Sequence, residues 1–260
     1  MITSLDNERV KRVRALQSRS RTRQKEEHFV IEGPKLVEEA ASGAPIDEVF
    51  YSETFASSPD GRTLLDQLST QGASLMVVDD PVLAAMSDTR TPQGILAVLP
   101  FLKLLPPEES TFALIIDRIS DPGNMGTIMR AAAAAGVPLM YMTAGTVDLT
   151  NPKVIRSGMG AHFHLPVRYA SWEGIANQLS DHVIFLAEVS GGAPYFKVDW
   201  SQPCALIVSE EGHGASKEAE RIAHARVTIP MPGGFESLNA AMATSILLFE
   251  MVRQRFSSNT

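Results

Sequence analysis

The chain has 260 residues, 44% hydrophobic and 20% charged, with a formal net charge of −7. That balance suits one large domain or two ordinary ones and excludes disorder over most of the length. A single cysteine, Cys204, excludes a disulfide framework and any chemistry needing two thiols, and no apolar run approaches the roughly 18 residues of a membrane span.

The first residues lack the apolar stretch of a signal peptide, so a cytoplasmic protein is expected. The net charge conceals a split. Residues 1–25 hold eight Lys/Arg against two Asp/Glu, residues 26–110 four against fifteen, and residues 111–260 eleven against thirteen. The eight basic residues of the first segment are Arg9, Lys11, Arg12, Arg14, Arg19, Arg21, Arg23 and Lys25, with no acid between them. Spacing such as Arg9 with Arg12 and Lys11 with Arg14 spreads charge around a solvated helix. The segment reads as a basic arm that contacts the phosphates of a nucleic acid; the plainer alternative is a basic tail with no partner.

After the arm, short apolar runs alternate with helical patterns. Pro34–Ala41 reads as a short helix after Gly33. Val49–Tyr51 and Leu75–Val78 read as strands. Asp80-Pro81 reads as a helix start with Asp80 as the cap. Ile95–Leu99 is a further strand, closing a small α/β domain over residues 26–100. Residues 101–110, FLKLLPPEES, form a linker in which Pro106-Pro107 bars regular structure.

From residue 111 the pattern becomes βα. Phe112–Ile116 is continuously apolar, as in a strand buried on both faces. An Ala-rich helix over Ala131–Ala135 stops at Gly136. Leu139–Met142, Val183–Ala187, Ala205–Val208 and Val227–Ile229 read as strands, and Ser237 as the cap of a last helix from Leu238 to about Gln254. Strands alternating with helices predict a parallel sheet covered on both faces.

Ligands of such sheets sit beyond the carboxyl ends of the strands, and three loops there are rich in glycine and polar residues. Asp117–Arg130, DRISDPGNMGTIMR, places Asn124 and Arg130 on broadly one side of a helix, though alone these read as a helix cap and a surface charge. Val208–Ser216, VSEEGHGAS, puts two glycines around His213 directly after a strand, where φ > 0 lets backbone approach a ligand. Ile229–Ala241, IPMPGGFESLNAA, is a rigid loop suited to wrapping an apolar ligand, or else a structural corner. His162 and His164 lack a third partner, so no metal is expected. Cys204, Trp172 and Trp200 read as packing residues. No phosphate-binding P-loop and no nucleophile elbow is present.

Together, in this order, the loops resemble the three signature motifs of the SpoU (TrmH) family of S-adenosyl-L-methionine-dependent RNA ribose 2′-O-methyltransferases, in the SPOUT superfamily. Asp121–Gly126 with Arg130 matches the first motif, Glu211–Gly214 the second, and Ile229–Met231 through Ser237–Asn239 the third. Asn151–Lys153 with Arg156–Gly158 is similar to the segment between them. The first hundred residues resemble an L30e-like substrate-binding domain. The resemblance implies an α/β chain with a SPOUT trefoil-knot methyltransferase domain over residues 111–260, acting as a homodimer on RNA, ribosomal RNA foremost. It implies catalytic roles for Arg130, Asn124, Glu211, Ser237 and Asn239, and cofactor contacts at Ser209, Glu211, Gly212, Ile229, Met231 and Leu238. Ser209 departs from the family's usual glycine, raising the expectation that its side chain crowds the cofactor; Glu210 departs from the usual small residue or Asn. The alternatives are a transfer-RNA target, an antibiotic-resistance methyltransferase, a base nitrogen as acceptor, or an RNA-binding protein that has kept the fold without turnover.

Overall fold

A computed structural model describes residues 1–210, 212 and 214–257. They divide into two compact units: residues 1–103 with 148–163, and residues 104–147 with the chain from 164 onward.

In the first unit the chain runs α1 (Glu8–Ser18), α2 (Ser20–Glu26), β1 (His28–Glu32), α3 (Pro34–Ala41), β2 (Glu48–Tyr51), α4 (Glu53–Ser57), α5 (Pro59–Thr70), β3 (Ser74–Val77), α6 (Asp80–Met86) and β4 (Ile95–Pro100). The sheet order is β1-β4-β2-β3, with β4 antiparallel to both neighbours and β2 parallel to β3. Central β4 shows why the sheet is covered on both sides. Ile95, Ala97 and Leu99 join one core with Val37 and Leu68, while Leu96 and Val98 join another with Val10, Val13 and Leu16. Alternate residues face opposite ways, so an unbroken apolar run serves two cores.

Residues 1–25 are therefore not an appended arm. Val10, Val13 and Leu16 are fully buried, each stabilising the unit by about 1.5–3 kcal/mol. The cap of α6 is Asp79, whose carboxylate accepts from the Asp80 N–H at 3.0 Å, rather than Asp80. The linker also starts later than expected: Phe101 packs on Phe29 and its N–H bonds the Glu27 carbonyl at 2.7 Å.

The second stretch runs β5 (Phe112–Asp117), α7 (Pro122–Ala134), β6 (Met140–Met142), α8 (Pro152–Gly158), β7 (Val167–Tyr169), α9 (Trp172–Gln178), β8 (Val183–Ala187), β9 (Ala193–Pro194), β10 (Cys204–Ser209), α10 (Lys217–Ile222), β11 (Ala225–Thr228) and α11 (Ala240–Ser257). Residues 148–163, which include α8, pack with the first unit, where Ile155 joins the Phe29 core. The expected 111–260 domain is thus interrupted. The seven strands form one parallel sheet in the order β7-β6-β5-β10-β8-β11-β9. Central β5 and β10 are buried on both faces, as their apolar runs require. Gly192 has a steric reason: a Cβ there would lie 2.7 Å from the Arg226 carbonyl carbon, where β9 meets β11.

The helix after β5 starts at Pro122, capped by Asp121, well before the alanine run. The final helix begins at Ala240 and is capped by Asn239, whose Oδ1 accepts from the N–H groups of Ala241 at 3.0 Å and Met242 at 3.3 Å; Ser237 is not the cap. Ser216 does cap α10, accepting from the Ala219 N–H at 3.1 Å. Trp200 is fully buried against Phe185, and burial pushes the Cys204 thiol up to about 11. No described helix is long and apolar enough to cross a membrane.

Candidate functional site

The carboxyl ends of β8, β10 and β11 and the first turns of α11 enclose a cavity of about 320 Å³, within the range of about 300–1,000 Å³ usual for small-molecule sites. Ser209 lines it from the end of β10, Gly212 from the loop that follows, Ile229 and Met231 from the loop after β11, and Ser237 and Leu238 from the approach to α11. Gly212 and Gly214 have φ of +84° and +65°, and a Cβ at either would meet no atom of the described residues beyond its chain neighbours within 4 Å. Their glycines answer to backbone conformation, not to crowding.

Sequence reasoning missed two other walls. Glu188 and Val189 follow β8, and Ala243, Thr244 and Leu247 lie along one face of α11. The first could have been found by applying the strand-end rule to Val183–Ala187. The second carried only the i, i+1, i+4 spacing of an ordinary core-facing helix.

The polar residues are distributed unevenly. The Asn239 amide donates to Asn124 Oδ1 at 2.8 Å, joining the first turn of α7 to the cap of α11. The Asn124 N–H donates to Asp121 Oδ1 at 2.7 Å. Ser237 lines the cavity, but Asn124, Asn239 and Arg130 do not. Arg130 is exposed on α7 and has no partner among the described residues. Glu211 and His213 lie outside the described residues. Among the described residues no group of three His, Cys, Asp or Glu is placed to hold a metal. His162 is half-buried and bonds the Leu149 carbonyl at 2.8 Å; desolvation lowers it to about 4.

The eight basic residues fall into two kinds. Arg23 is 3% exposed; its Nη2 donates to Asp148 Oδ2 at 2.6 Å and its Nη1 to the Leu16 carbonyl at 2.8 Å, so it caps the end of α1 from inside. Burial alone would raise the Asp148 carboxyl, but hydrogen bonds from Thr150, Ser20 and Arg23 and the Arg23 charge outweigh it and hold the group below its ordinary value. Arg12 bridges Glu26 at 2.7 Å and Glu48 at 2.8 Å. Arg9 reaches Met76 Sδ and lies 3.9 Å from Glu48, and Lys11 pairs with Glu8 and Asp6. Arg14, Arg19, Arg21 and Lys25 are exposed, and their side chains have no partner among the described residues. Lys11, Arg14 and Arg19 line one groove of about 610 Å³ beside α6.

Comparison with known proteins places this geometry. Residues 111–249 match the SpoU rRNA Methylase family, and residues 7–97 match the MRM3-like substrate binding domain. The 23S rRNA (guanosine(2553)-2′-O)-methyltransferase RlmP of Bacillus subtilis is 32% identical, over 96% of this chain and 98% of its own length. An AdoMet-bound rRNA methyltransferase from Sinorhizobium meliloti superposes with a TM-score of 0.85 at 30% identity, covering 97% of each chain. The SpoU methyltransferase AviRb of Streptomyces viridochromogenes, solved with AdoMet, superposes with a TM-score of 0.88 at 27% identity, over 96% of this chain and 99% of that one. The chain belongs to the SpoU rRNA methylase family.

Proposed function

We propose that the chain is an S-adenosylmethionine-dependent RNA methyltransferase that modifies a ribose 2′-hydroxyl, with 23S ribosomal RNA as its target. The observation that carries this reading is the cavity at the strand ends, in a chain whose family and relatives are rRNA methylases. Its walls suit the cofactor. Apolar Ile229, Met231 and Leu238 would flank an adenosyl group, and Ser209 and Gly212 line the same space. The described lining contains Glu188 and Glu210 and no Lys or Arg, which favours a cationic centre. The family resemblance would add Glu211 as a cofactor contact.

The bound cofactor supplies a methyl group already activated on a sulfonium. The protein must place a ribose oxygen in line with it, and placement alone can lower a barrier by several kcal/mol, roughly 7–11 in the best cases. Arg130 is a poor resting base, because a guanidinium stays protonated to a pKa above about 12. Its role in this reading is to anchor the target phosphate and reduce the cost of charge at O2′. Asn124 and Asn239 hold each other and the start of α11 in place, and Ser237 offers a hydroxyl at the cavity wall.

Arg130 does not line the cavity of its own chain. A homodimer in which a second copy supplies the guanidinium meets that need. Met242 and Phe249, 56% and 49% exposed on one face of α11, suit such an interface. The reading includes the family's trefoil threading and a cytoplasmic location. The RNA backbone would be gripped by Arg14, Arg19, Arg21 and Lys25, helped by Arg9 and Lys11. Arg12 and Arg23 leave the RNA-binding set, because internal carboxylates engage them.

The test is to map 2′-O-methylation of total RNA with and without the gene and to assay Arg130→Ala and Arg130→Lys chains. The alanine chain should lose about 10²–10³-fold in turnover with cofactor affinity unchanged. Near-full activity of the lysine chain at neutral pH contradicts a specific guanidinium role.

A further inference from the structure

The loop after β10 carries the glycines and both residues that depart from the family pattern, Ser209 and Glu210. It is held from outside the cavity by side chains of one short stretch, the end of β5 and the turn into α7. Asp117, the last residue of β5, is fully buried. It stands beside Ser209 in the parallel register. Its Oδ2 accepts from Ser209 Oγ at 3.1 Å and from the Ser216 N–H at 2.7 Å. One carboxylate oxygen therefore ties together the two ends of the loop, at the last residue of β10 and at the cap of α10.

The next residues extend the hold. Arg118 sits at φ +56°, a left-handed conformation that costs a non-glycine residue free energy. From there its Nε lies 3.3 Å from Asp117 Oδ1 and its Nη2 donates to the Gly214 carbonyl at 3.3 Å. Gly145 gives it room: a Cβ there would lie 3.2 Å from Arg118 Cγ. Ser120 donates through both its N–H and its hydroxyl to Glu210 Oε1. Asp117, Arg118 and Ser120 thus hold the loop at Ser209, Glu210, Gly214 and Ser216.

The geometry points to Asp117 as a positioning residue: it sets the shape of the cofactor-cavity wall by clamping the 209–216 loop to the turn that leads into α7. Ser209 does not merely add bulk where the family usually has glycine. Its hydroxyl is engaged by Asp117, and with Glu210 it supplies contacts that glycine and a small residue would lack. This inference rests on the reading of the cavity as the S-adenosylmethionine site.

The experiment uses the full chain and three variants, Asp117→Asn, Asp117→Ala and Ser209→Ala. It reads S-adenosylmethionine binding by calorimetry, KM for cofactor and RNA separately, and amide hydrogen exchange. A hydrogen bond to a charged group supports a loss of about tenfold or more in cofactor affinity for the two Asp117 variants. Ser209→Ala, which keeps the Ser216 bond, should lose about threefold. KM should rise for cofactor and not for RNA, and the Ser216 amide should exchange faster. Cofactor affinity within twofold of wild type in Ser209→Ala and in any folded Asp117 variant overturns the inference, as does an equal rise in both KM values. If Asp117→Ala and Asp117→Asn do not fold, Ser209→Ala decides the matter. A wild-type chain that binds no S-adenosylmethionine defeats the reading of the cavity itself, and with it this inference. That failure is distinct from a wild-type chain that binds and variants that bind equally well.

Discussion

The basic helices α1 and α2 and the loops after β10 and β11 are both marked in the sequence for function, and they behave differently in the fold. In the helices, like residues take unlike roles. Arg23 is buried on Asp148, Arg12 bridges two glutamates, and the side chains of Arg14 and Arg19 line a groove with no partner among the described residues. In the loops, five of the residues singled out by motif, Ser209, Gly212, Ile229, Met231 and Leu238, line one cavity. An arginine's role depends on carboxylates supplied by distant parts of the chain. A loop of glycine and proline, by contrast, carries its backbone shape in its own residues.

The largest expected effect separates the two kinds of arginine. Arg23→Ala leaves the Asp148 carboxylate in its partly buried site without its cation, and breaking such a pair costs about 3–5 kcal/mol. Chemical denaturation should show that loss, whereas Arg14→Ala should lie within about 0.5 kcal/mol of wild type. The effect depends on pH. The Asp148 carboxyl is held below its ordinary value in the fold. Its contribution is therefore complete above the unfolded value near pKa 4 and fades as pH falls through the lower folded value. The gap between wild type and Arg23→Ala should narrow in acid. An Arg23→Ala chain as stable as Arg14→Ala would erase the distinction.

A second change addresses the cavity. Ala243 lines it from α11, and Ala243→Phe should fill part of the space. Cofactor affinity should fall by about 10–100-fold, the scale of one to two lost hydrogen bonds or buried methylenes. Thermal melting without cofactor should change little. Unaltered binding would mean that the ligand sits elsewhere.

The smallest effect concerns the exposed cations. Arg14→Ala with Arg19→Ala should weaken RNA binding evenly across sequences and flatten the salt dependence by about 0.7–0.9 in log–log slope per lost phosphate contact. Binding isotherms at several salt concentrations measure this. An unchanged slope would remove the groove beside α6 from the RNA surface.

The alternation of strands and helices was legible because β4, β5, β8 and β10 are apolar runs bounded by turn residues. Three features were not. Val10, Val13 and Leu16 have core spacing, but eight charges around them masked it. Ser237 looked like a cap, and only the fold shows Asn239 in that role. The return of residues 148–163 to the first unit depends on Ile155 and Asp148 meeting partners far away in sequence, which no local pattern encodes.

That return has a consequence for how the molecule can be divided. The polypeptide passes between its two units three times, after residues 103, 147 and 163. A fragment cut cleanly at 103 would lack Asp148 and Ile155, leaving a guanidinium without its counter-charge and a gap in an apolar layer. Limited proteolysis in that connecting stretch should therefore release pieces that persist only in company, so recombining the substrate-reading half with another catalytic half would require carrying the excursion along with it.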